Sequence, residues 1–414
     1  MVKEKERKMK EKSGFIWNTI GSLIYSFFNA IILMFCTRLN GTEIAGIFSI
    51  SYATGCILNA IGDMGIRIFQ VTDTNRKYKF QEYFFSRFFA VIIMTVIAII
   101  FVLISGYSNE KLFICMILIL IRVVDNFSET FQAEFQLNAR LDMAGKALLY
   151  RNAVEILSFA ICDIITRNIY ISFLIMLLSS VIMLVIYDIR LTQKANRIKF
   201  EFNKDKVKSI IKECFPLGMS TLISMYVINA VKYAIDIFGN NTMQTYFNVL
   251  YMPTFVINLV SILIMKPLLK PFGEYWNEKN YKKFIRVIII IILFLVAITI
   301  VIEIAALTIG IPMLGWLYGI ELSSYRLELF LLILSGLCYA ASTVIFYALG
   351  TIRKQKQTTI AYIISAIFAL VVSNILVYKY GILGSTISSV IIMTMLFLTL
   401  LIFFVIGYKK EKMQ

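Results

Sequence analysis

Twelve windows of roughly twenty apolar residues recur along the chain, at about 15–36, 44–66, 88–106, 112–135, 148–165, 169–187, 214–238, 245–266, 287–309, 328–350, 358–378 and 382–407. A helix needs about 20 apolar residues to cross the hydrocarbon of a bilayer, so each window reads as a membrane span. Only 16% of the 414 residues are charged, against about 25% in a soluble domain. The fold class that follows is an all-α integral membrane protein.

The distribution of Lys and Arg tests the span count. With the N-terminus inside, 34 of the 41 basic residues fall in the inner connections and termini, and 5 in the outer loops. This asymmetry is the positive-inside pattern; it places both termini in the cytoplasm and makes the helix number even. It also accounts for the net charge of +16. The basic residues face anionic inner-leaflet lipids, and nucleic acid is an unnecessary hypothesis. The basic stretch 1–12 reads as a cytoplasmic leader before an uncleaved first helix.

The chain also repeats itself. At an offset of 199, Phe48 falls on Phe247, Tyr52 on Tyr251, Asn59 on Asn258 and Arg67 on Lys266. Both copies open a series of six spans, which predicts two six-helix bundles related by a parallel pseudo-two-fold repeat. The longest inner connection lies where the repeat places a boundary. The expected organisation is therefore a bundle over 1–190, a cytoplasmic linker over 191–213 and a second bundle over 214–414. Segments 73–84 and 273–285 follow the second span of each half and mix aromatic with charged residues. They read as amphipathic surface helices or as plain charged loops. Pro253 falls inside the eighth span and predicts a kink there.

There is no histidine, which removes histidine-based acid–base chemistry, metal sites and pH switches. The six cysteines have neither metal nor redox spacing and read as small apolar fillers. No Walker loop is present, so this chain's own ATP hydrolysis does not drive transport. No cofactor is expected; coupling to a proton or sodium gradient is left open.

The candidate site comes from charges within spans, which cost roughly 2.5–3.5 kcal/mol each at mid-bilayer. Span four carries Arg122, Asp125, Asn126, Glu129, Gln132 and Gln136 at a spacing of three or four, on one helix stripe. Span five carries Arg151 and Glu155 one turn apart, then Asp163. Span seven carries Asn229, Lys232 and Asp236. One reading is a polar translocation path. In it Arg122, Arg151 and Lys232 hold an anionic head group such as a pyrophosphate. Asp125, Glu155 and Asp236 orient those cations or take a coupling ion, and Asn126, Glu129 and Asn229 add polar lining. The other reading makes Arg122–Asp125, Arg151–Glu155 and Lys232–Asp236 local helix pairs.

The chain resembles the polysaccharide-biosynthesis (O-antigen) flippases of the multidrug/oligosaccharidyl-lipid/polysaccharide exporter superfamily. The resemblance is carried by Leu39-Asn40-Gly41-Thr42-Glu43-Ile44-Ala45-Gly46-Ile47-Phe48 and by Gly62-Asp63-Met64-Gly65-Ile66. It continues with Asp236-Ile237-Phe238-Gly239 and the following Tyr246 and Phe247, and covers the chain through its six-plus-six plan. It implies two bundles alternating between inward-open and outward-open states in a bacterial cytoplasmic membrane. It also implies export of an undecaprenyl-pyrophosphate-linked oligosaccharide, in company with other polysaccharide-assembly membrane proteins. A basic lumen is the family's pattern. The uncharged interior of span ten departs from it and leaves the second bundle thin in charge.

Two alternatives stay open. A cation-coupled drug exporter of the same superfamily would use Asp125 or Asp236 as its coupling acid. A membrane-embedded glycosyltransferase or polymerase would carry catalytic residues in large outer loops, whereas the longest outer loop here is 310–327.

Overall fold

The computed structural model describes residues 2–73, 75–195 and 201–412. Among them there is no strand; the chain is helical nearly throughout, with short turns. It divides into two compact units, Met1–Met225 and Tyr226–Gln414.

The first unit holds α1 (Val2–Phe35), α2 (Gly41–Asp63), α3 (Ile66–Thr72), α4 (Phe80–Ile104), α5 (Asn109–Leu137), α6 (Leu141–Thr166), α7 (Ile169–Met183) and α8 (Arg190–Ala195). The 35-residue α9 (Lys204–Phe238) starts in this unit, and the division between the units falls within it. The second unit continues with α10 (Asn241–Leu250), α11 (Met252–Asn277), α12 (Tyr281–Ala305), α13 (Ile311–Tyr318), α14 (Arg326–Thr351) and α15 (Gln355–Lys412). Part of the expected linker, 196–200, lies outside the described residues. Its last ten residues are the opening turns of α9.

Seven helical runs among the described residues are long and apolar enough to cross a membrane, and eight if the bent pair α10–α11 counts as one span. Two of the runs, Ser13–Asp63 and Gln355–Lys410, are far longer than one crossing requires. Both are interrupted. A π-turn, Cys36–Asn40, followed by Gly41 at φ 88° separates α1 from α2. Gly381, at φ 56°, breaks α15, a conformation that only glycine adopts without strain. Helices α5 and α6 are not among the seven runs; they carry the charges on which the site is built.

Other breaks are built from the same chemistry. Between α2 and α3 the backbone turns left-handed at Met64 and Gly65. A Cβ on Gly65 would lie 2.6 Å from the Leu217 side chain, so α9 packs directly on this break. Helices α10 and α11 meet at 43°, next to Pro253, where the proline bend was expected. Crossings rely on small residues as well. A Cβ on Gly21 would meet the Gly145 carbonyl oxygen at 2.6 Å, which lets α1 and α6 approach closely.

Of the two readings of segments 73–84 and 273–285, a separate surface helix forms in neither. Ahead of α4 the Asp73 carboxylate accepts the backbone N–H groups of Lys77 and Tyr78 and the Tyr83 hydroxyl, each at 2.9 Å. Satisfying that carboxylate locally competes with helix formation. In the second unit α11 runs on to Asn277 and α12 starts at Tyr281, so 273–285 divides between two membrane helices.

Candidate functional site: buried charge clusters of the first unit

Helix α5 is the spine of the site. Most of its polar stripe is buried: Arg122 and Asp125 are 6% exposed and Asn126 and Gln132, with the neighbouring Ser128, are at 0%, while Glu129 and Gln136 are half-buried. Charges buried to this degree persist only if paired and hydrogen-bonded, and the stripe divides into three groups.

In the first group Asp125 bridges two guanidiniums. Arg122 Nη1 donates to Asp125 Oδ2 at 2.8 Å, and Arg151 Nη2 lies 2.9 Å from Asp125 Oδ1. Arg151 Nε stands 3.6 Å from Glu155 Oε1. The pairs expected within α5 and within α6 are therefore joined across the two helices. The Arg122 guanidinium also lies 4.7 Å from the centre of the Tyr52 ring, a cation–π arrangement. Tyr25, Tyr52, Arg122, Asp125, Asn152 and Glu155 surround a void of about 10 Å³, about the space one water needs.

In the second group Asn126 is the hub. Its Nδ2 donates to Asn59 Oδ1 at 2.7 Å and to the Arg122 carbonyl at 2.8 Å, while its Oδ1 accepts from Arg87 Nη1 at 2.9 Å. Arg87 is fully buried and also reaches Asp63 Oδ1 at 2.9 Å and the Gly62 carbonyl at 3.2 Å. It thereby covers the C-terminal end of α2, where backbone carbonyls and the helix dipole favour a cation. Glu129 closes the group, 3.7 Å from Arg67 Nη1 and 4.0 Å from Arg87 Nη2. A Cβ at Gly62 would sit 2.8 Å from Asn126 Nδ2, so a glycine there lets the network form.

The third group lies at the far end of the stripe. Ser128 Oγ donates to Asp188 Oδ2, and Gln132 Nε2 donates to Ser128 Oγ at 3.0 Å. Asp188 stands in a π-turn, Leu184–Ile189, and is buried.

The first two groups are each internally neutral, with two arginines against two carboxylates. Arg122 and Arg151 thus meet Asp125 and Glu155 rather than facing solvent as a surplus of positive charge. Several polar atoms in the groups still lack a hydrogen-bond partner in the protein: Arg87 Nε and Nη2, Arg151 Nε and Nη1, Glu155 Oε1 and Asp188 Oδ1. Each such buried group costs about 1–3 kcal/mol, so the clusters keep donor and acceptor positions that the protein itself does not fill.

Of the residues expected from sequence, Arg122, Asp125, Arg151 and Glu155 come together, and Asn126 and Glu129 join the neighbouring group. Asn229, Lys232 and Asp236 lie on the part of α9 that belongs to the second unit, Asn229 buried and the other two half-buried. Sequence reading missed Arg87 and Asp188, which it placed in the connections. Both sit at the ends of apolar runs, Ser86-Arg87-Phe88-Phe89 and Ile186-Tyr187-Asp188-Ile189. Asn59 was noted only as a repeat match; its partner Asn126 gives that match a physical role.

No protein-family model matches the chain. It is 24% identical over 389 residues to the capsular polysaccharide biosynthesis protein CapF of Staphylococcus aureus, covering 91% of this chain and 94% of that protein. Among solved structures, the lipid II flippase MurJ in an inward-closed conformation superposes with a TM-score of 0.70 at 14% identity, over 94% of this chain and 87% of that one. The MATE multidrug transporter DinF-BH gives 0.65 at 15% identity, over 95% and 94%. The described helices and these likenesses make the chain a multi-pass, all-α membrane protein whose solved relatives are transporters and flippases, and it carries the fold of the multidrug/oligosaccharidyl-lipid/polysaccharide exporter superfamily that its sequence resembles.

Proposed function

We propose that the chain is a flippase that carries an undecaprenyl-pyrophosphate-linked oligosaccharide across the bacterial cytoplasmic membrane by alternating access, for surface polysaccharide biosynthesis. The observation that carries this reading is the end-to-end similarity to a capsular polysaccharide biosynthesis protein, on a fold shared with a lipid II flippase. The proposal includes twelve crossings, both termini inside, and two six-helix bundles joined by the linker. In the site, Arg122, Arg151 and Lys232 are assigned to the pyrophosphate. Asp125, Glu155 and Asp236 hold those cations while the site is empty, or take the coupling ion.

The ion pairs of the first unit suit such a cycle. An arginine held by a carboxylate is ready to leave it for a phosphate, because both are forked acceptors of the same donors. Protonating or metallating the carboxylate would release the arginine. Depletion of the protein in its host tests the reading: lipid-linked oligosaccharide should accumulate in the inner leaflet and surface polysaccharide should be lost. An unchanged lipid pool would sink it.

The internal neutrality of the two arginine groups favours a second reading, a cation-coupled drug exporter, because neither group keeps a surplus of positive charge against an organic cation. Resistance to toxic cations on overexpression, with a normal lipid pool, would select it.

A further inference from the structure

The stretch Tyr281-Lys282-Lys283-Phe284-Ile285-Arg286 opens α12 and leads into a valine and a run of isoleucines. Asn280 caps the helix, its Oδ1 accepting the Lys283 N–H at 3.2 Å. The cap fixes the helical phase from the first turn. Phe284 and Ile288 then point into the unit and are buried. On another face lie Lys282 and Arg286, one turn apart, with Ile285, Ile289 and Ile290.

That face is one wall of an open groove of about 460 Å³, and Tyr408 near the end of α15 forms another. The tyrosines are held in place from behind: the Trp276 ring lies 5.0 Å from Tyr281 and 6.1 Å from Tyr408, and the two tyrosines are 5.9 Å apart. Lys282 and Arg286 are exposed, and among the described residues neither is paired with a carboxylate. Ile289 and Ile290 are 51% and 55% exposed. Their place on a membrane helix puts them against lipid.

We infer that this groove binds one anionic glycerophospholipid of the inner leaflet, its phosphate between Lys282 and Arg286, its head group against Tyr281 and Tyr408, and one acyl chain along Ile289 and Ile290. Along α12 the polar groups come first, Tyr281, Lys282 and Arg286, and hydrocarbon follows at Ile289 and Ile290, as the head group precedes the acyl chain in a lipid. Two cations a turn apart complement one phosphodiester, and a basic recess between membrane helices on the cytoplasmic side is suited to an acidic head group. A free phosphate would use the cations but leave the isoleucine wall without a purpose. The site rests on the proposed inward placement of the termini and uses none of the residues assigned to the pyrophosphate, so it can fail while the flippase reading stands.

The test is a binding titration of the purified full-length chain in uncharged detergent with short-chain phosphatidylglycerol. Phosphatidylcholine of the same chain length and inorganic phosphate serve as the other arms. Phosphatidylglycerol should bind, the double variant Lys282→Gln/Arg286→Gln should bind it about 30-fold more weakly, taking about 1 kcal/mol for each basic residue, and Lys282→Arg should bind as the parent does. Raising salt from about 0.05 to about 0.5 M should weaken binding by the parent chain, a readout that needs no variant. Equal binding of phosphatidylcholine, undiminished binding by the double variant, indifference to salt, or full displacement by inorganic phosphate would each overturn the assignment.

Discussion

The two units solve the problem of polar groups in a membrane differently on a matching scaffold. The repeat read from sequence pairs Tyr52 with Tyr251 and Asn59 with Asn258. In both units the tyrosine packs on the phenylalanine four residues earlier, Phe48 or Phe247, with ring centres 5.8 Å apart. In both, the asparagine reaches across to the next polar helix: Asn59 to Asn126, and Asn258 to Thr343 at 3.0 Å. Beyond that the chemistry diverges. The buried side chains of the first unit include Arg87, Arg122, Asp125, Arg151, Glu155, Asp163 and Asp188, whereas among the described residues the second fully buries no charged residue and hides only one oxygen of the half-buried Glu303.

The second unit uses hydroxyls instead. Thr254 Oγ1 donates to the Leu332 carbonyl at 2.7 Å and Ser261 Oγ to the Ala340 carbonyl at 3.0 Å, tying α11 to α14. A hydroxyl on a carbonyl is a modest bond, worth about 1 kcal/mol, and it has no cheap alternative partner. An ion pair is costly to desolvate and costly to break, but it can be re-formed with another ion. The comparison teaches that the scaffold requires only small and hydroxylated residues, and that the charges of the first unit exceed what packing demands. Such charges fit a part of the molecule that exchanges partners.

The contrast can be broken experimentally. Arg151→Met strands Glu155 in the interior, leaves Asp125 with Arg122 alone and should cost about 3–5 kcal/mol, seen as a large fall in thermal unfolding temperature in detergent. Adding Glu155→Met should recover much of that loss; no recovery would mean that the two residues are not a unit. Arg87→Lys keeps the charge but loses the planar guanidinium whose Nη1 meets Gly62, Asp63 and Asn126 together, for an expected loss of about 1–3 kcal/mol. In the second unit Thr343→Val should cost about 1 kcal/mol or less by the same assay. A loss there as large as that of Arg151→Met would erase the distinction between the units.

The smallest effect concerns the turn at Asp73, in a segment expected as a surface helix or a charged loop. Burial would raise the Asp73 carboxyl, but the Tyr78 and Lys77 amides and the Tyr83 hydroxyl outweigh it and hold the group below its ordinary range. A depressed carboxyl contributes stability above the unfolded value, near 3.9, and loses it as pH falls through the folded value. Proteolysis at Arg76 and Lys77 should therefore rise below about pH 4 in the parent chain. Asp73→Asn should cleave readily at neutral pH, with a flat profile.

How legible was this in the sequence? Apolar windows located the helices because hydrocarbon thickness fixes their length. Helical periodicity gathered the stripe of α5, and Pro253 marked the bend. Position along a span was harder to read. Arg87 and Asp188 stand at span ends, where a charge in water and a charge in a cluster look alike in one dimension. Burial of Arg87 depends on the left-handed break at Met64 and Gly65, which exposes the Gly62 carbonyl for it to meet. Segment 73–84 carries an amphipathic pattern, yet the Asp73 side chain supplies the hydrogen bonds a helix would otherwise have made.

The most direct test reconstitutes the purified chain in liposomes holding a fluorescent undecaprenyl-pyrophosphate oligosaccharide and follows its arrival in the opposite leaflet under an imposed proton or sodium gradient. Parent chain should move the lipid, Arg122→Gln/Arg151→Gln should not, and the hydroxyl variant Thr343→Val should move it at close to the parent rate. Transport that persists in the arginine double variant would contradict the role given to the first unit's charges, and a parent chain that leaves the lipid in place while exporting an organic cation would contradict the flippase itself.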